Sequence, residues 1–269
     1  MNQIEKGDAF LALHQRGAPF VIPNPWDAGS ARMMAVKGFE ALATTSAGVD
    51  HVHGLRSGSA GRDQIIANAR DIVAATELPV SVDLEDCFGS DEDGIAETIR
   101  LAADAGAVGG SIEDSIWGNP SEFYAFDVAV ARVRAAVAAV AALPFKFTLT
   151  ARCEFMLYGH ADLDATIERL RAYAEAGADV IFAPGIRTRE QVEAVVDSVD
   201  KPVNVLLGLS NTALDMADMH RLGVARVSLG SGIHTAAMKA AADALDEIRE
   251  RGSFGFTTGL PKVDSLLGV

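Results

Sequence analysis

Residues 79–86 read PVSVDLED. In an extended strand, successive side chains alternate between two faces. Ser81, Asp83 and Glu85 therefore share one face, and Val80, Val82 and Leu84 the other. A strand buried in an ordinary parallel sheet is apolar on both faces. A face that grows more charged toward its C-terminal end needs a polar destination. Two further runs repeat the pattern. In GGSIED (109–114), Ser111 and Glu113 lie opposite Ile112. In KFTLTARC (146–153), Lys146, Thr148, Thr150 and Arg152 lie opposite Phe147, Leu149, Ala151 and Cys153. The interior of a small β/α barrel, opening onto a site at the strands' C-terminal ends, accommodates all three.

Working outward, candidate strands fall at 19–24, 41–49, 78–86, 107–114, 144–153, 178–185, 201–207 and 224–231, with helical patterns between them. Asp27, Asp91, Asp162, Thr188 and Thr212 stand where helix N-caps belong, and Gly38, Gly106, Gly177 and Gly223 where helices end. Eight such units predict an α/β fold, a (β/α)8 TIM barrel forming one domain. Its parts are an N-terminal helix within about residues 1–18, the barrel over about 19–252 and a tail over about 253–269. The segment 236–252 sets Met238, Ala241, Ala242, Leu245 and Ile248 on one stripe, and the tail adds Phe254, Phe256, Leu260, Val263, Leu266 and Leu267. That much apolar surface after barrel closure calls for a partner, so a homo-oligomer is expected.

Composition narrows the function. At 269 residues, 49% hydrophobic with 25 glycines, the chain suits alanine- and valine-rich helices on a buried sheet. It shows no signal-peptide pattern and no apolar run long enough to span a bilayer, which predicts a cytoplasmic protein. The net charge of −14 disfavours nucleic acid and anionic membrane surfaces as partners. Two cysteines, Cys87 and Cys153, are too few for a disulfide scaffold and read as inert.

Parity places the candidate site at Asn24, Ser46 (ending strand two before Ala47 and Gly48), Asp83, Glu85, Glu113, Arg152 and Asn204. Three carboxylates at one barrel mouth repel one another unless a cation sits among them. Hard oxygen ligands point to Mg²⁺, with Mn²⁺ as the alternative, so Asp83, Glu85 and Glu113 are the expected metal ligands. Arg152 supplies positive charge for an anionic substrate, or else forms a structural salt bridge with Glu85, Glu113 or Glu154. Asp86 and Asp114, on the opposite parity, read as structural. His51 and His53 are placed to reach a metal or substrate, or else to lie exposed. Gly230 to Gly232 read equally as a phosphate cradle or a tight turn.

The run NPWDAGSARMMAVKGFEALATTSAGV (24–49), followed in order by VDLEDCFG, SIEDS, TARCE and KPVNVL, resembles the isocitrate lyase / phosphoenolpyruvate mutase superfamily over roughly residues 20–235. The resemblance implies a homo-oligomeric barrel, usually a tetramer with an exchanged C-terminal helix, that binds a small anionic 2-oxo acid or its enolate on Mg²⁺. By position, Ser46, Ala47 and Gly48 match the segment that binds the substrate carboxylate or phosphonate. Asp83 and Glu85 match the two acids of the D-x-D metal motif, Glu113 the acid of I-E-D and Arg152 the substrate-binding arginine of A-R-x-E. There are departures. The stretch DSIWGNPSEFYAFD (114–127) lacks the gate-loop cysteine of isocitrate- and methylisocitrate-cleaving relatives. Ser57 replaces an aspartate, for which Asp50 or His53 could substitute, and Pro184 replaces a mutase histidine.

The expected function is a Mg²⁺-dependent carbon–carbon lyase or decarboxylase. Its substrate is a small, oxaloacetate-like 2-oxo or 2-hydroxy di- or tricarboxylate, processed through a metal-stabilised enolate, with Arg152, Glu113 and Asp83 as catalytic groups and Ser46, Ala47, Gly48, Arg152 and Asn204 binding substrate. Two alternatives stand beside it: a phosphonopyruvate-type P–C bond enzyme, and a silent metabolite-binding relative. Lys146 and Lys201 begin their strands at the far end of the barrel, which argues against a Schiff-base aldolase.

Overall fold

The polar faces of the strands line a barrel and the apolar faces turn out onto helices. The computed structural model describes residues 1–209 and 213–269. In chain order the first half comprises α1 (Gln3–Gln15), β1 (Phe20–Ile22), α2 (Ala28–Val36), β2 (Leu42–Ala43), α3 (Ser46–Val52), α4 (Arg62–Ala74), β3 (Val80–Asp83), α5 (Glu92–Asp104) and β4 (Gly109–Glu113). A hairpin of β5 (Ser115–Ile116) and β6 (Asn119–Phe123) follows, then α6 (Phe126–Ala141), β7 (Thr148–Arg152), α7 (Leu163–Ala176), β8 (Val180–Phe182) and α8 (Arg189–Asp197). The chain ends with β9 (Val203–Leu206), α9 (Met216–Arg221), β10 (Arg226–Ser228), α10 (Gly232–Arg251), a short 3₁₀ turn and α11 (Val263–Leu267).

Eight strands run parallel in the order β1-β10-β9-β8-β7-β4-β3-β2. The seam between β1 and β2 is bridged by the Ala43 N–H to the Pro23 carbonyl (3.1 Å) and by Asn24 Nδ2 to the Thr44 carbonyl (3.2 Å). Asn24 also accepts from the Leu229 N–H (2.8 Å), so one buried amide ties β1 to the loops after β2 and β10. Outside the barrel, Leu84, Ile112 and Leu149 form one cluster with Ile95 and Ile99 of α5 and Val130 and Val133 of α6.

Helix ends follow their caps. Asp27, Asp91, Asp162 and Thr188 each accept a first-turn N–H, and Gly177 closes α7 at φ +110°, a backbone angle that L side chains rarely adopt. Thr212 lies outside the described residues; Asp215 caps α9. Helix α1 covers the bottom of the barrel. Gly109 on β4 has no side chain because one would come within 2.7 Å of the Phe10 ring rising from α1.

Three expectations change. The segment 41–49 is strand only over Leu42–Ala43, because Thr45 caps a new helix by accepting from the Gly48 N–H. Ser46 therefore opens α3 rather than ending strand two. The stretch after Glu113, which corresponds to the relatives' gate loop, folds into the β5–β6 hairpin, and the Trp117 indole on its turn donates to the Ala60 carbonyl (3.1 Å). The tail, expected to need a partner surface for its apolar residues, finds part of one in its own chain, with α11 packed on α2 and Leu266 and Leu267 partly buried.

The apolar stripe on α10 stays uncovered by the chain itself. Met238, Leu245, Phe254, Leu260 and Val263 are each more than half exposed. A dimer or tetramer is expected in light scattering, built through α10 and the tail. A stable monomer at micromolar concentration contradicts this.

Candidate active site

Three strands end in charge at the same rim. Asp83 closes β3, Glu113 closes β4 and Arg152 closes β7, with Glu113 directly beside Arg152 in the ladder and Asp83 beside Ser111. Asp83 is held from both sides. Its Oδ1 accepts from Arg152 Nη1 (2.8 Å) and Ser111 Oγ (3.3 Å), and its Oδ2 from the Ser46 N–H (3.2 Å) and Ser46 Oγ (2.9 Å). Arg152 also reaches Glu113 Oε2 (3.2 Å) through Nη1 and Glu154 Oε1 (2.8 Å) through Nε. Its planar fork fixes three carboxylates in one geometry, which a lysine cannot do.

The electrostatics are those of a crowded acid cluster. Burial alone depresses the Arg152 pKa, but Glu113, Glu154 and Asp83 hold it well above the ordinary arginine value. Burial pushes Glu113 up to about 7, against the pull of Arg152 and with the repulsion of Asp83. Glu85 is raised by burial and by its neighbours Glu113 and Asp83. Glu154 is raised chiefly by burial, and its Oε2 has no hydrogen-bond partner among the described residues. One guanidinium thus serves more negative charge than it neutralises.

Beyond Asp83 the strand rule lapses. Glu85, Cys87 and Phe88 adopt left-handed backbone angles (φ +51°, +65° and +51°), so the turn after β3 rather than strand alternation aims Glu85 at the cluster. Two hollows meet at Arg152. A cavity of about 170 Å³ descends into the barrel past Asp83, Asn204 and Arg226. A wider one of about 420 Å³ lies under the β5–β6 hairpin beside Glu85 and Glu113. Ser46, Ala47 and Tyr158 border both. The first-turn N–H groups of a helix lack intrahelical partners, and here the one on Ser46 is turned to Asp83. Asn204, buried on β9, donates to Ser228 Oγ (2.9 Å) and accepts from Arg226 Nε (2.9 Å).

The donor set fits a hard divalent cation. It consists of carboxylate oxygens; burial first, and then repulsion from neighbouring acids, raise the pKa values of Glu85 and Glu113, an imbalance that a cation relieves. Among the described residues no three acidic, histidine or cysteine side chains draw close enough to cage an ion unaided. Mg²⁺ characteristically binds through one or two carboxylates and keeps several waters.

The remaining candidates divide clearly. Asp114 accepts from Arg169 (3.1 Å), the Tyr173 hydroxyl (2.8 Å) and the Glu154 N–H (2.8 Å). Asp86 accepts from the Tyr124 hydroxyl (2.8 Å) and the Phe88 N–H (2.8 Å), so both acids are structural. Asp50 is buried and clamps the N–H groups of Gly58, Ser59 and Ala60, which occupies it in shaping the loop that carries Ser57. His53 is exposed, while His51 meets His234 (3.5 Å) and Ser57 (3.2 Å). Gly232 sits where a side chain would strike the Gly208 carbonyl at 2.3 Å, which accounts for the GSG run as a tight turn. Two further residues, Arg226 and Tyr158, line the site. Arg226 shares the inward parity of Ser228, and Tyr158 lies on a segment with no strand periodicity.

Both cysteines are buried, and burial drives both thiol pKa values up, away from the reactive thiolate. A Cys87→Ala, Cys153→Ala double variant is expected to keep most of its activity in a steady-state assay. Collapse of kcat in a folded double variant contradicts this.

Comparison with known proteins follows the same lines. A family model described as phosphoenolpyruvate phosphomutase matches residues 10–249. An uncharacterized protein of Mycobacterium tuberculosis is 37% identical over 238 residues, 88% of this chain and 87% of that one. An oxaloacetate decarboxylase of Pseudomonas aeruginosa is 30% identical over 264 residues, 91% and 85% of the two chains. Among solved structures, a candidate lyase/mutase from Burkholderia cenocepacia J2315 superposes with a TM-score of 0.94 at 50% identity, covering 98% of this chain and 95% of that one.

Proposed function

This chain belongs to the phosphoenolpyruvate mutase / isocitrate lyase superfamily of lyases and mutases, and on that premise we propose that it is a Mg²⁺-dependent lyase acting on a small 2-oxo or 2-hydroxy di- or tricarboxylate. The observation that carries the proposal is the meeting of Asp83, Glu85, Glu113 and Arg152 at one rim, beside a cavity sized for a small acid. Asp83, Glu85 and Glu113 are the groups that would hold the ion, directly or through water. When bound, the metal supplies Lewis-acid polarisation of the substrate carbonyl or hydroxyl.

The chain's own residues do the rest. The substrate's carboxylate is received at the first turn of α3 by the Ala47 N–H, between the Ser46 and Gly48 N–H groups that Asp83 and Thr45 engage. Arg152 lies where negative charge develops as the carbon–carbon bond breaks and an enolate forms, and its fork is already oriented by Glu113 and Glu154. Glu113, 3.2 Å from Arg152, would act through the ion that it helps to hold and through its grip on that guanidinium. Trp117 and the β5–β6 hairpin stand over the wider hollow and limit water access to it. No membrane partner is invoked, and no helix among the described residues is long and apolar enough to cross one. Nucleic acid does not suit a chain of net charge −14.

The relatives' names span decarboxylation and mutase chemistry, so the test is a substrate panel. Oxaloacetate and methyl-substituted malates, assayed with Mg²⁺ for carbon–carbon cleavage, are expected to turn over faster than phosphonopyruvate, isocitrate or methylisocitrate. Faster release of phosphate from phosphonopyruvate assigns P–C chemistry instead, and binding of the panel without any product identifies a silent relative.

A further inference from the structure

Arg226 opens β10 on the inner face of the barrel and is 5% exposed. Its polar partners among the described residues are uncharged. Nε donates to Asn204 Oδ1 (2.9 Å) and Nη2 to Thr150 Oγ1 (3.0 Å), while Nη1 lies 3.3 Å from His14 Nε2. His14 Nδ1 lies 2.9 Å from the Phe10 carbonyl, a contact only an Nδ1–H can satisfy, so Nε2 accepts from Arg226 and the ring is neutral. Burial, then the charge of Arg226, push the His14 pKa down to about 3, which agrees with that tautomer. Among the described residues no carboxylate pairs with Arg226. Its charged neighbour is a second cation, Arg152; burial first, and then that charge, press the Arg226 pKa down to about 9.

A buried charge without a counter-ion is costly, and removing solvent from it is repaid only by an opposite charge in good geometry. Three of the five N–H donors are engaged. Arg226 and Arg152 border the same cavity of about 170 Å³, which is reached from the rim. We propose that Arg226 is the floor of a second anion subsite, which takes the distal carboxylate of a dicarboxylate whose 2-oxo or 2-hydroxy end lies at Asp83 and Arg152. The inference rests on the lyase reading above.

The test compares malate with 2-hydroxybutyrate, four-carbon acids that differ in a terminal carboxylate against a methyl group, by calorimetric titration of the full chain with Mg²⁺. The parent is expected to prefer malate by on the order of tenfold to a hundredfold. Arg226→Gln removes the charge. His14→Glu leaves Arg226 in place and sets a carboxylate near its Nη1 from α1, outside the cavity lining. Both variants are expected to bring the two affinities to within about threefold while leaving 2-hydroxybutyrate binding unchanged. If Arg226→Gln does not fold, His14→Glu decides. Equal affinities in the parent, a preference that survives His14→Glu, or parallel loss of both affinities overturns the subsite and leaves the lyase reading standing. A parent that binds neither acid rejects the lyase reading and this inference with it.

Discussion

Arg152→Lys is expected to lower kcat/KM by on the order of 10²–10³ while the charge of the side chain is kept. Arg152 makes a different contact with each of three acids, at 2.8 Å to Asp83, 3.2 Å to Glu113 and 2.8 Å to Glu154. An ammonium group at that position reaches one or two of them and offers no planar edge to a substrate carboxylate. Glu154, wholly buried and already lacking a partner for Oε2, then loses its one ion pair, so some loss of stability accompanies the loss of rate. The two effects separate when the assay is run well below the melting transition of the variant. An unchanged kcat/KM there makes Arg152 a structural salt bridge.

The second large effect is at Asp83. Asp83→Ala is expected to remove the metal-dependent part of turnover, a loss of roughly 10³-fold or more given the several kcal/mol that a Lewis-acid metal contributes. The fold should survive. Asp83 is one of the charges that raise Glu113 and Glu85, so its removal relieves repulsion even as it costs Arg152, Ser46 and Ser111 an acceptor. Asp83→Asn keeps the shape without the charge and is expected to fail equally. A variant that keeps parental activity, with the same dependence on added Mg²⁺, places the metal elsewhere.

Much of this site could be read from strand alternation alone. Asp83, Glu113 and Arg152 end regular strands, where side-chain direction follows residue parity, and they meet as parity requires. Glu85 reaches the same cluster by another route, through a left-handed backbone that no alternation rule encodes. Ser46 was misplaced at a strand end because TTSAGV is apolar and β-branched enough to prolong a strand, whereas Thr45 acts as a cap and starts α3. The β5–β6 hairpin is not legible in the sequence because its strands carry no apolar alternation of their own and pair with each other. Arg226 had the right parity but stood at the start of its strand, where barrel enzymes seldom place functional groups. Its significance lies in the uncharged company it keeps, which only the folded chain reveals.

The central claim is that Asp83 and its neighbours bind a 2-oxo acid through a divalent cation. Oxalate, two joined carboxylates that mimic the chelating end of such an acid and undergo no reaction, tests it by calorimetric titration of the parent protein with Mg²⁺ and again with excess chelator. The account predicts binding with Mg²⁺, none detectable with chelator, and none in Asp83→Ala under either condition. Oxalate binding of equal strength in chelator and in Mg²⁺ contradicts it.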